Sequence, residues 1–267
     1  MTLRRYETAR GHWYKLDGVK VDGVTTLISQ GLPKPALMYW SARVVAEYVA
    51  DNLDQVVAMA DMGRASLVAA LKEVPWTKRD TAAAKGTEVH ALAERLAAGD
   101  EVDVPEHLAG YVESCVAFLD DYQVRPIRLE APIGSRTWRY AGTCDLIADL
   151  RLPDGRTERA VLDYKTAASG VWPEVVLQLA AYRNAEFYLD NDGREQPIAD
   201  LGLSETGYAV WLRSDGYDVY PVHIGEQPFK TFQHLAYVAR RINDKTGVLK
   251  SWLGDALPAP DRGMANV

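Results

Sequence analysis

The chain has 267 residues, of which 48% are hydrophobic and 25% are charged, an ordinary globular balance that argues against disorder. The formal net charge of −7 counts against a protein that coats nucleic acid unselectively, although a local basic groove is compatible with it. No apolar run is long enough to span a bilayer, so a membrane partner is not expected. The two cysteines do not suggest a disulfide scaffold, and the predicted location is therefore the cytoplasm.

The first part of the chain, residues 1–85, is predicted to form a β-hairpin and a mainly helical lobe. The dipeptide Asp17-Gly18 separates two apolar-rich segments and is typical of a tight hairpin turn. Pro35 favours the start of a helix, whereas Pro75 is expected to begin a loop or bent segment. The apolar periodicity predicts helices over residues 36–51, 54–73 and 81–98.

The helix predicted over residues 81–98 carries a histidine one turn after a glycine. A glycine inside a helix costs about 1 kcal/mol relative to alanine, so Gly86 indicates a close approach of backbone or room for a ligand. Taken alone, His90 would be interpreted as a structural or surface histidine. Glu94, one turn further on, is expected to be solvated or to support a neighbouring group.

Two aspartates are predicted to face each other across a hairpin in the middle of the chain. A Leu-Pro-Asp-Gly-Arg segment is a strong turn signal between two apolar, partly β-branched segments, which we interpret as antiparallel strands. A hairpin centred on Asp154 places Asp145 opposite Asp163. The same register pairs Asp149 with Arg159, a favourable cross-strand pair, and a slip by one residue would remove this arrangement.

Facing carboxylates are unfavourable in a sheet, so they require a raised pKa, a neighbouring lysine or a divalent cation. Because side chains alternate along a strand, Lys165 lies on the same face as Asp163. Carboxylates beside a lysine suit Mg²⁺ or Mn²⁺, ions that activate water and leave coordination positions for phosphate. The lysine could orient that water or stabilise a developing phosphorane. The alternative is an exposed hairpin with ordinary surface charges.

A further helix is predicted after the hairpin, from about Pro173 to Tyr188. Gln178 and Tyr182 are four residues apart and share one face of it, where they could bind a phosphate or hold a metal-bound water. The alternative is an ordinary helix with a half-buried tyrosine. A second hairpin, a last helix and a disordered tail are predicted over residues 208–224, 228–253 and 258–267. This order of elements predicts an α/β fold with a central mixed β-sheet flanked by helices.

The candidate residues form a pattern that comprises Gly86 and His90, Gly142 and Asp145, Asp163 and Lys165, and Gln178 and Tyr182. This pattern resembles the PD-(D/E)XK nuclease superfamily, in particular its RecB-like exonucleases, which include phage-encoded members. The resemblance is clear over residues 86–182 and weaker over the N-terminal hairpin and the helix after it. It implies a restriction-endonuclease-like core over residues 86–257.

The resemblance also implies which residues carry the chemistry. The implied metal ligands are His90, Asp145, Asp163 and the backbone carbonyl of Tyr164. The implied catalytic set is Asp145, Asp163, Lys165, Gln178 and Tyr182. Glu130 resembles an acidic residue that family members carry on the preceding strand, and two alternatives stay open for it. It either binds a second metal ion or forms an ion pair with Arg139.

The function implied is that of a Mg²⁺- or Mn²⁺-dependent DNA nuclease, an exonuclease that acts on ends in DNA recombination, repair or replication. The expected partners are DNA and a recombinase or helicase, and a phage-encoded member would act in the host cytoplasm. Arginine and lysine favour phosphate, so the candidate DNA contacts are Lys78, Arg79, Lys85, Arg136 and Arg139. The alternative from another class is a non-cleaving DNA-binding or recombination-accessory protein on the same fold.

A third alternative is a CRISPR adaptation nuclease, because nucleases of that kind share the pattern. They carry four cysteines that hold an iron–sulfur cluster. This chain has only Cys115 and Cys144, which are far apart in sequence, so no cluster is expected.

Overall fold

The computed structural model of the protein describes residues 3–8, 11–243 and 247–256. The strands in these residues, β1 to β10, are Leu3–Thr8, Gly11–Leu16, Val19–Gly23, Arg125–Ser135, Tyr140–Arg151, Thr157–Lys165, Phe187–Leu189, Glu195–Pro197, Thr206–Arg213 and Gly216–His223. The α-helices, α1 to α8, are Val24–Gly31, Pro35–Asp51, Leu53–Asp61, Arg64–Ala98, Ala109–Asp121, Val175–Arg183, Glu226–Ile242 and Val248–Ser251. Short 3-10 helices span Glu106–Leu108 and Ile198–Leu201.

The strands form one mixed sheet that forks at β5. Antiparallel β4 covers one edge of β5 over nearly its whole length. The other edge is shared, because parallel β3 pairs with it up to Ala141 and antiparallel β6 pairs with it from Leu146 onward. Residues 142–145 therefore lie in the fork between β3 and β6. Beyond β6 the sheet continues through parallel β9 to antiparallel β10.

Helices cover both faces of this sheet and bury two apolar clusters against it. One cluster packs side chains of α1, α6 and α7 on one face, and Phe232 of α7 is fully buried in it. The other packs the second half of α4 and α5 on the opposite face, where Phe118 is fully buried. The predicted α/β class, with a central mixed sheet flanked by helices, is confirmed.

The predicted register of the central hairpin is also confirmed. Asp149 lies opposite Arg159, and the Arg159 guanidinium donates to both oxygens of Asp149 at 2.7 and 3.0 Å. The ladder ends at the pair of Leu146 with Leu162, one residue before the two aspartates. The aspartates thus stand at the end of the ladder, where the strands are free to diverge.

The loop predicted at Pro75 is wrong, because α4 runs unbroken from Arg64 to Ala98 and ends at Gly99, which has φ 86°. Proline inside a helix removes one backbone hydrogen bond and costs about 3 kcal/mol. Packing of α4 against α2 and α3 offsets that cost. The proposed division of the chain near residue 85 consequently falls inside a continuous helix.

Two helix ends and the N-terminal strands also differ from the predictions. The helix after the hairpin ends at Arg183, because the Asn184 side chain donates to the Ala180 carbonyl at 2.8 Å and the following residues pair with β4 as β7. The last long helix ends at Ile242, and Asn243 donates to Ala239 in the same way. The N-terminal part contributes three strands to the sheet, of which only the β2–β3 hairpin was predicted.

The predicted disordered tail, residues 258–267, lies outside the described residues. Across the part of the chain that the structure describes, no helix combines the length and the apolarity needed to cross a membrane.

Candidate active site at the fork of the sheet

The regular alternation of side chains breaks at Asp145 in β5. Cys144 packs in the apolar cluster with α1, α6 and α7, called the α6-side cluster below. Leu146, only two residues later, packs in the opposite cluster with α4 and α5, called the α5-side cluster. The same change of face occurs opposite it on β4 at Glu130, which has a φ of 44°. Left-handed backbone at a residue other than glycine costs about 1–3 kcal/mol and is concentrated at functional sites. The two irregularities therefore set two carboxylates at the fork.

Asp145 connects three elements at this point. Its Oδ2 accepts a hydrogen bond from the backbone N–H of Tyr164 on β6 at 3.0 Å, and it lies 3.2 Å from Nδ1 of His90 on α4. The Tyr164 ring is buried on the α5 side and meets the His90 ring edge-on, with centroids 6.1 Å apart. The fold thus brings together His90 and Asp145, which are distant in sequence.

Asp163, Lys165, Gln178 and Tyr182 form a second connected group beside the first. Lys165 Nζ lies 2.5 Å from Asp163 Oδ2 and donates to Gln178 Oε1 at 3.1 Å. Gln178 Nε2 donates to Asp163 Oδ1 at 2.5 Å and lies 3.2 Å from the Tyr182 hydroxyl. The shared face predicted for Gln178 and Tyr182 is confirmed, because both contacts come from one side of α6.

Burial dominates the electrostatics of the carboxylates. Asp163 is 1% exposed, and its burial, aided by the charge of Asp145, raises its pKa to about 6 in spite of the neighbouring Lys165. Burial also raises the pKa of Glu130 to about 7, and the charges of Asp145 and Glu94 add to the effect. The charged forms of both carboxylates are consequently disfavoured in the protein alone.

For the two bases, in contrast, the charged form is favoured. Burial acts to lower the pKa of His90, but the hydrogen bond and charge of Asp145 raise it above the usual histidine value. For Lys165 the same balance holds, because attraction to Asp163 outweighs burial and raises its pKa. Each base is therefore held by a carboxylate, His90 by Asp145 and Lys165 by Asp163.

Glu130 pairs with an arginine that sequence reasoning missed. Arg5 Nη1 lies 3.4 Å from Glu130 Oε2 and donates to Thr143 Oγ1 at 3.2 Å. The alternative that Glu130 pairs with Arg139 is wrong, because Arg139 sits in the turn between β4 and β5, where its carbonyl accepts from Arg240. Arg5 belongs to β1, which was not predicted.

The donor chemistry of the group fits a hard divalent cation. Asp163 Oδ2 is buried, and its charge is balanced by Lys165 Nζ at 2.5 Å. Mg²⁺ needs only one or two protein carboxylates and takes its other ligands from water and phosphate. Among the residues that the structure describes, no three His, Cys, Asp or Glu side chains are grouped closely enough to hold a metal ion by themselves. The fit is therefore to an open site completed by water or substrate.

Two glycines make room for this arrangement. A Cβ on Gly142 would lie 2.7 Å from Cε1 of Tyr182, and a Cβ on Gly86 would lie 3.1 Å from the Thr166 hydroxyl oxygen. Gly86 thus permits the close approach of α4 to the end of β6, as its position in the helix predicted. Gly142 permits the Tyr182 ring to pack closely against β5.

We expect Gly142→Ala to lower stability by about 1–3 kcal/mol, because the added methyl group overpacks a buried contact with Tyr182. Thermal melting of the single and double variants measures the effect. The double variant Gly142→Ala/Tyr182→Ala should lose less stability than the two single variants lose in sum, because the clash is absent from it. Strictly additive losses would contradict this origin of the strain.

The five candidate DNA contacts fall in different places. Lys78, Arg79 and Lys85 line a cleft of about 1100 Å³ between α2, α3 and α4, and the cleft extends to Thr166, next to Lys165. Arg136 instead pairs with Asp17 and Glu195 beyond the end of β4. The turn that holds Arg136 also holds Arg139, and it lies about 20 Å along the strand from the carboxylates at the fork. The structure thus brings only the first three toward the site.

Both cysteines are buried, and they lie in different apolar clusters. Cys115 belongs to the α5-side cluster and Cys144 to the α6-side cluster. Burial raises the pKa of Cys115 to about 12, so its thiol is protonated at neutral pH.

Comparison with known proteins adds little to this geometry. No family model and no curated protein matches the chain. Fifteen chains of solved structures match, and one of them is described as "Crystal structure of SSO0001". It is 12% identical, the match covers 83% of this chain and 76% of that chain, and the TM-score is 0.31. A likeness at that score carries no argument about fold or function.

Proposed function

We propose that the protein is a Mg²⁺- or Mn²⁺-dependent DNA nuclease of the PD-(D/E)XK type. The observation that supports this most directly is the connected group of Asp163, Lys165 and Gln178 next to the pair of His90 with Asp145. These residues come from α4, β5, β6 and α6, so the fold brings them together, and not their proximity in sequence. The proposal includes action in the cytoplasm, alongside a recombinase or helicase.

In this proposal the metal is held by His90, Asp145, Asp163 and the carbonyl of Tyr164, with Glu130 as a further ligand for a second ion. When bound, the metal polarises the phosphate and lowers the pKa of a water molecule.

The chain's own residues position the reactants. Lys165, whose raised pKa keeps it protonated, donates a hydrogen bond from its ammonium group to the phosphate oxygen that gains charge. Gln178 fixes both Lys165 and Asp163 through its amide, and Tyr182 holds that amide in turn. Lys78, Arg79 and Lys85 are proposed to contact the DNA backbone in the cleft.

The proposal of an exonuclease is tested by end-labelled linear DNA and covalently closed circular DNA incubated with Mg²⁺, Mn²⁺ or EDTA. Degradation of linear DNA alone, and only with metal, is the expected result. Nicking of circles would replace the exonuclease with an endonuclease. Intact DNA under every condition would overturn the proposed cleavage.

A non-cleaving DNA-binding protein on the same fold is the second candidate, and two observations favour it. Lys165 is already paired with both Asp163 and Gln178, and the described residues offer no ready group of three metal-binding side chains. Such a protein would bind DNA in the cleft without a metal. DNA binding that is equal in Mn²⁺ and EDTA, with no cleavage, would support this candidate.

We expect His90→Ala to raise the Mn²⁺ concentration needed for half-maximal cleavage by tenfold or more, about the loss that follows removal of a group at a metal site. An imidazole ligand favours borderline ions, so the effect should be larger with Mn²⁺ than with Mg²⁺. A metal titration of the cleavage rate measures it. His107→Ala is the matched control, because His107 pairs with Glu88 at an exposed position. An unchanged titration would return His90 to a structural role.

A further inference from the structure

A small hollow lies near Lys165, because its lining includes Trp211, the residue beside Lys165 on the neighbouring strand. Its volume is about 420 Å³, within the range of about 300–1,000 Å³ that is usual for ligand pockets. Three aromatic side chains line it, Trp172, Trp211 and Tyr220. Neither the metal site nor the cleft accounts for these rings.

The sheet places two of the rings on the catalytic face. Lys165 lies beside Trp211 on the neighbouring strand β9. Asp163 lies beside Ala209, which in turn lies beside Tyr220 on β10. Neighbouring residues on adjacent strands point to the same face, so these rings and the catalytic carboxylate share one surface. Strand spacing of about 4.8 Å puts Tyr220 two strands, about 10 Å, from Asp163.

The third ring comes from the loop that joins β6 to α6. Trp172 is 45% exposed, and its Nε1 donates to the Ser169 hydroxyl at 3.0 Å. Trp211 Nε1 donates to the carbonyl of Ala167 in the same loop at 2.9 Å. Gly170, with φ 88°, closes the turn of this loop by donating to Ala167. Both indole N–H groups are thus satisfied within the protein, which fixes the rings before any ligand arrives.

The space between the rings is open. Throughout the described residues, Trp172, Trp211 and Tyr220 make no ring–ring contact with one another, although all three line one hollow. Tyr220 is 42% exposed on the edge strand, so it is accessible from solvent. The Arg213 guanidinium lies over one face of the Trp211 ring, 4.3 Å from its centroid, so a flat ligand would stack on the ring faces that remain free.

We propose that this hollow binds one or two unstacked bases of a single-stranded DNA end. This inference rests on the proposed function, because the phosphate next to those bases would lie at Lys165. Base stacking on aromatic side chains is tolerant of sequence, since every base has a π-face. The distance of about 10 Å from Asp163 to Tyr220 leaves room for the one or two terminal nucleotides next to that phosphate.

The test uses short single-stranded oligonucleotides in EDTA, with binding followed by tryptophan fluorescence. Each oligonucleotide is compared with versions that carry two abasic nucleotides at the 3′ or the 5′ end. Wild type should bind the abasic version at one of the two ends at least about fivefold more weakly, the lower range of one lost stacking contact. Equal binding of all three oligonucleotides would overturn the proposal.

Variants connect the effect to the hollow. Trp172→Ala and Tyr220→Ala should weaken binding of the normal oligonucleotide at least about fivefold and leave binding of the sensitive abasic version unchanged. Trp138→Ala and Tyr237→Ala are matched controls, because those rings are 41% and 59% exposed away from the hollow, and they should bind as wild type does. Equal losses in variants and controls would also overturn the proposal.

The outcome separates this inference from the proposed cleavage. Base-dependent binding by a protein that cuts no DNA in Mn²⁺ would support the stacking site and overturn the nuclease. Metal-dependent cleavage by a protein whose DNA affinity does not depend on the terminal bases would support the nuclease and overturn the stacking site.

Discussion

Lys165→Ala should reduce metal-dependent DNA cleavage by at least about a thousandfold, the upper end of the loss seen when one donor to a developing charge is removed. Lys165 Nζ lies 2.5 Å from Asp163 Oδ2 and is 29% exposed on the side chain, so it stands between the buried carboxylate and solvent where a phosphate would enter. Single-turnover cleavage of labelled linear DNA measures the rate. DNA affinity should change little, because Lys78, Arg79 and Lys85 in the cleft remain to contact the DNA backbone.

Lys34→Ala is the matched control for this experiment. Lys34 is also a partly exposed lysine paired with a carboxylate, Glu174, at 2.8 Å, and Glu174 immediately precedes α6. Its loss should leave the cleavage rate within about threefold of wild type, as expected for a surface pair worth less than about 1 kcal/mol. A rate for Lys165→Ala that resembles wild type would remove this lysine from the mechanism.

Asp163→Asn should abolish the stabilisation that Mn²⁺ gives the wild type. A ligand at a hundredfold excess over its Kd stabilises the folded state by about 2.7 kcal/mol, which corresponds to a rise in Tm of about 5–10 °C for a chain of this size. The variant should respond to Mn²⁺ by no more than about a fifth of that shift, because one of the proposed ligands has lost its charge. Thermal melting in Mn²⁺ and in EDTA measures both shifts.

In EDTA the same variant should melt at or above the wild type near pH 7.5. The pKa of Asp163 is raised to about 6 in the folded protein, whereas it is near 4 in the unfolded chain. Between about pH 4 and pH 6 the folded protein therefore holds a proton that the unfolded chain has lost. Stability from this group is therefore present at low pH and lost as pH rises through about 6. Asparagine keeps the neutral shape at all pH values, and Lys165 can turn toward water.

Asp149→Asn is the matched control, because it is another aspartate of the same hairpin. Its carboxylate is bound by Arg159 and lies away from the proposed metal ligands, and this arginine lowers its pKa. That variant should lose stability in EDTA and keep the full Mn²⁺ shift. Identical Mn²⁺ responses of Asp163→Asn and wild type would show that the metal does not bind at Asp163.

Local sequence chemistry was sufficient to predict the central hairpin. The turn signal and the complementary pair of Asp149 and Arg159 define one register, and any slip would expose its apolar side chains. The helix that carries Gln178 and Tyr182 was predicted for a similar reason, because four-residue spacing decides which side chains share a face.

The parts that depend on distant contacts could not be predicted in the same way. Glu130 adopts its left-handed backbone opposite the irregularity at Asp145, and no residue near it in sequence indicates that conformation. Its partner Arg5 lies on β1, a strand that pairs with β2 and is distant in sequence from Glu130. The helix through Pro75 survives because of packing with α2 and α3, which outweighs a local signal that normally ends a helix.

Helix α4 combines a part that lines the cleft with a part that is fixed in the core. It is about 50 Å long, residues between 70 and 86 form a wall of the cleft, and the following turns carry His90 and are anchored in the core through Val89 and Ala93. Pro75 lies in the first half, where a backbone hydrogen bond is missing and bending is easiest. A bend at Pro75 would therefore move the segment before it and leave the part of α4 that is anchored in the core in place. Such a bend would change the width of the cleft while His90 stays beside Asp145.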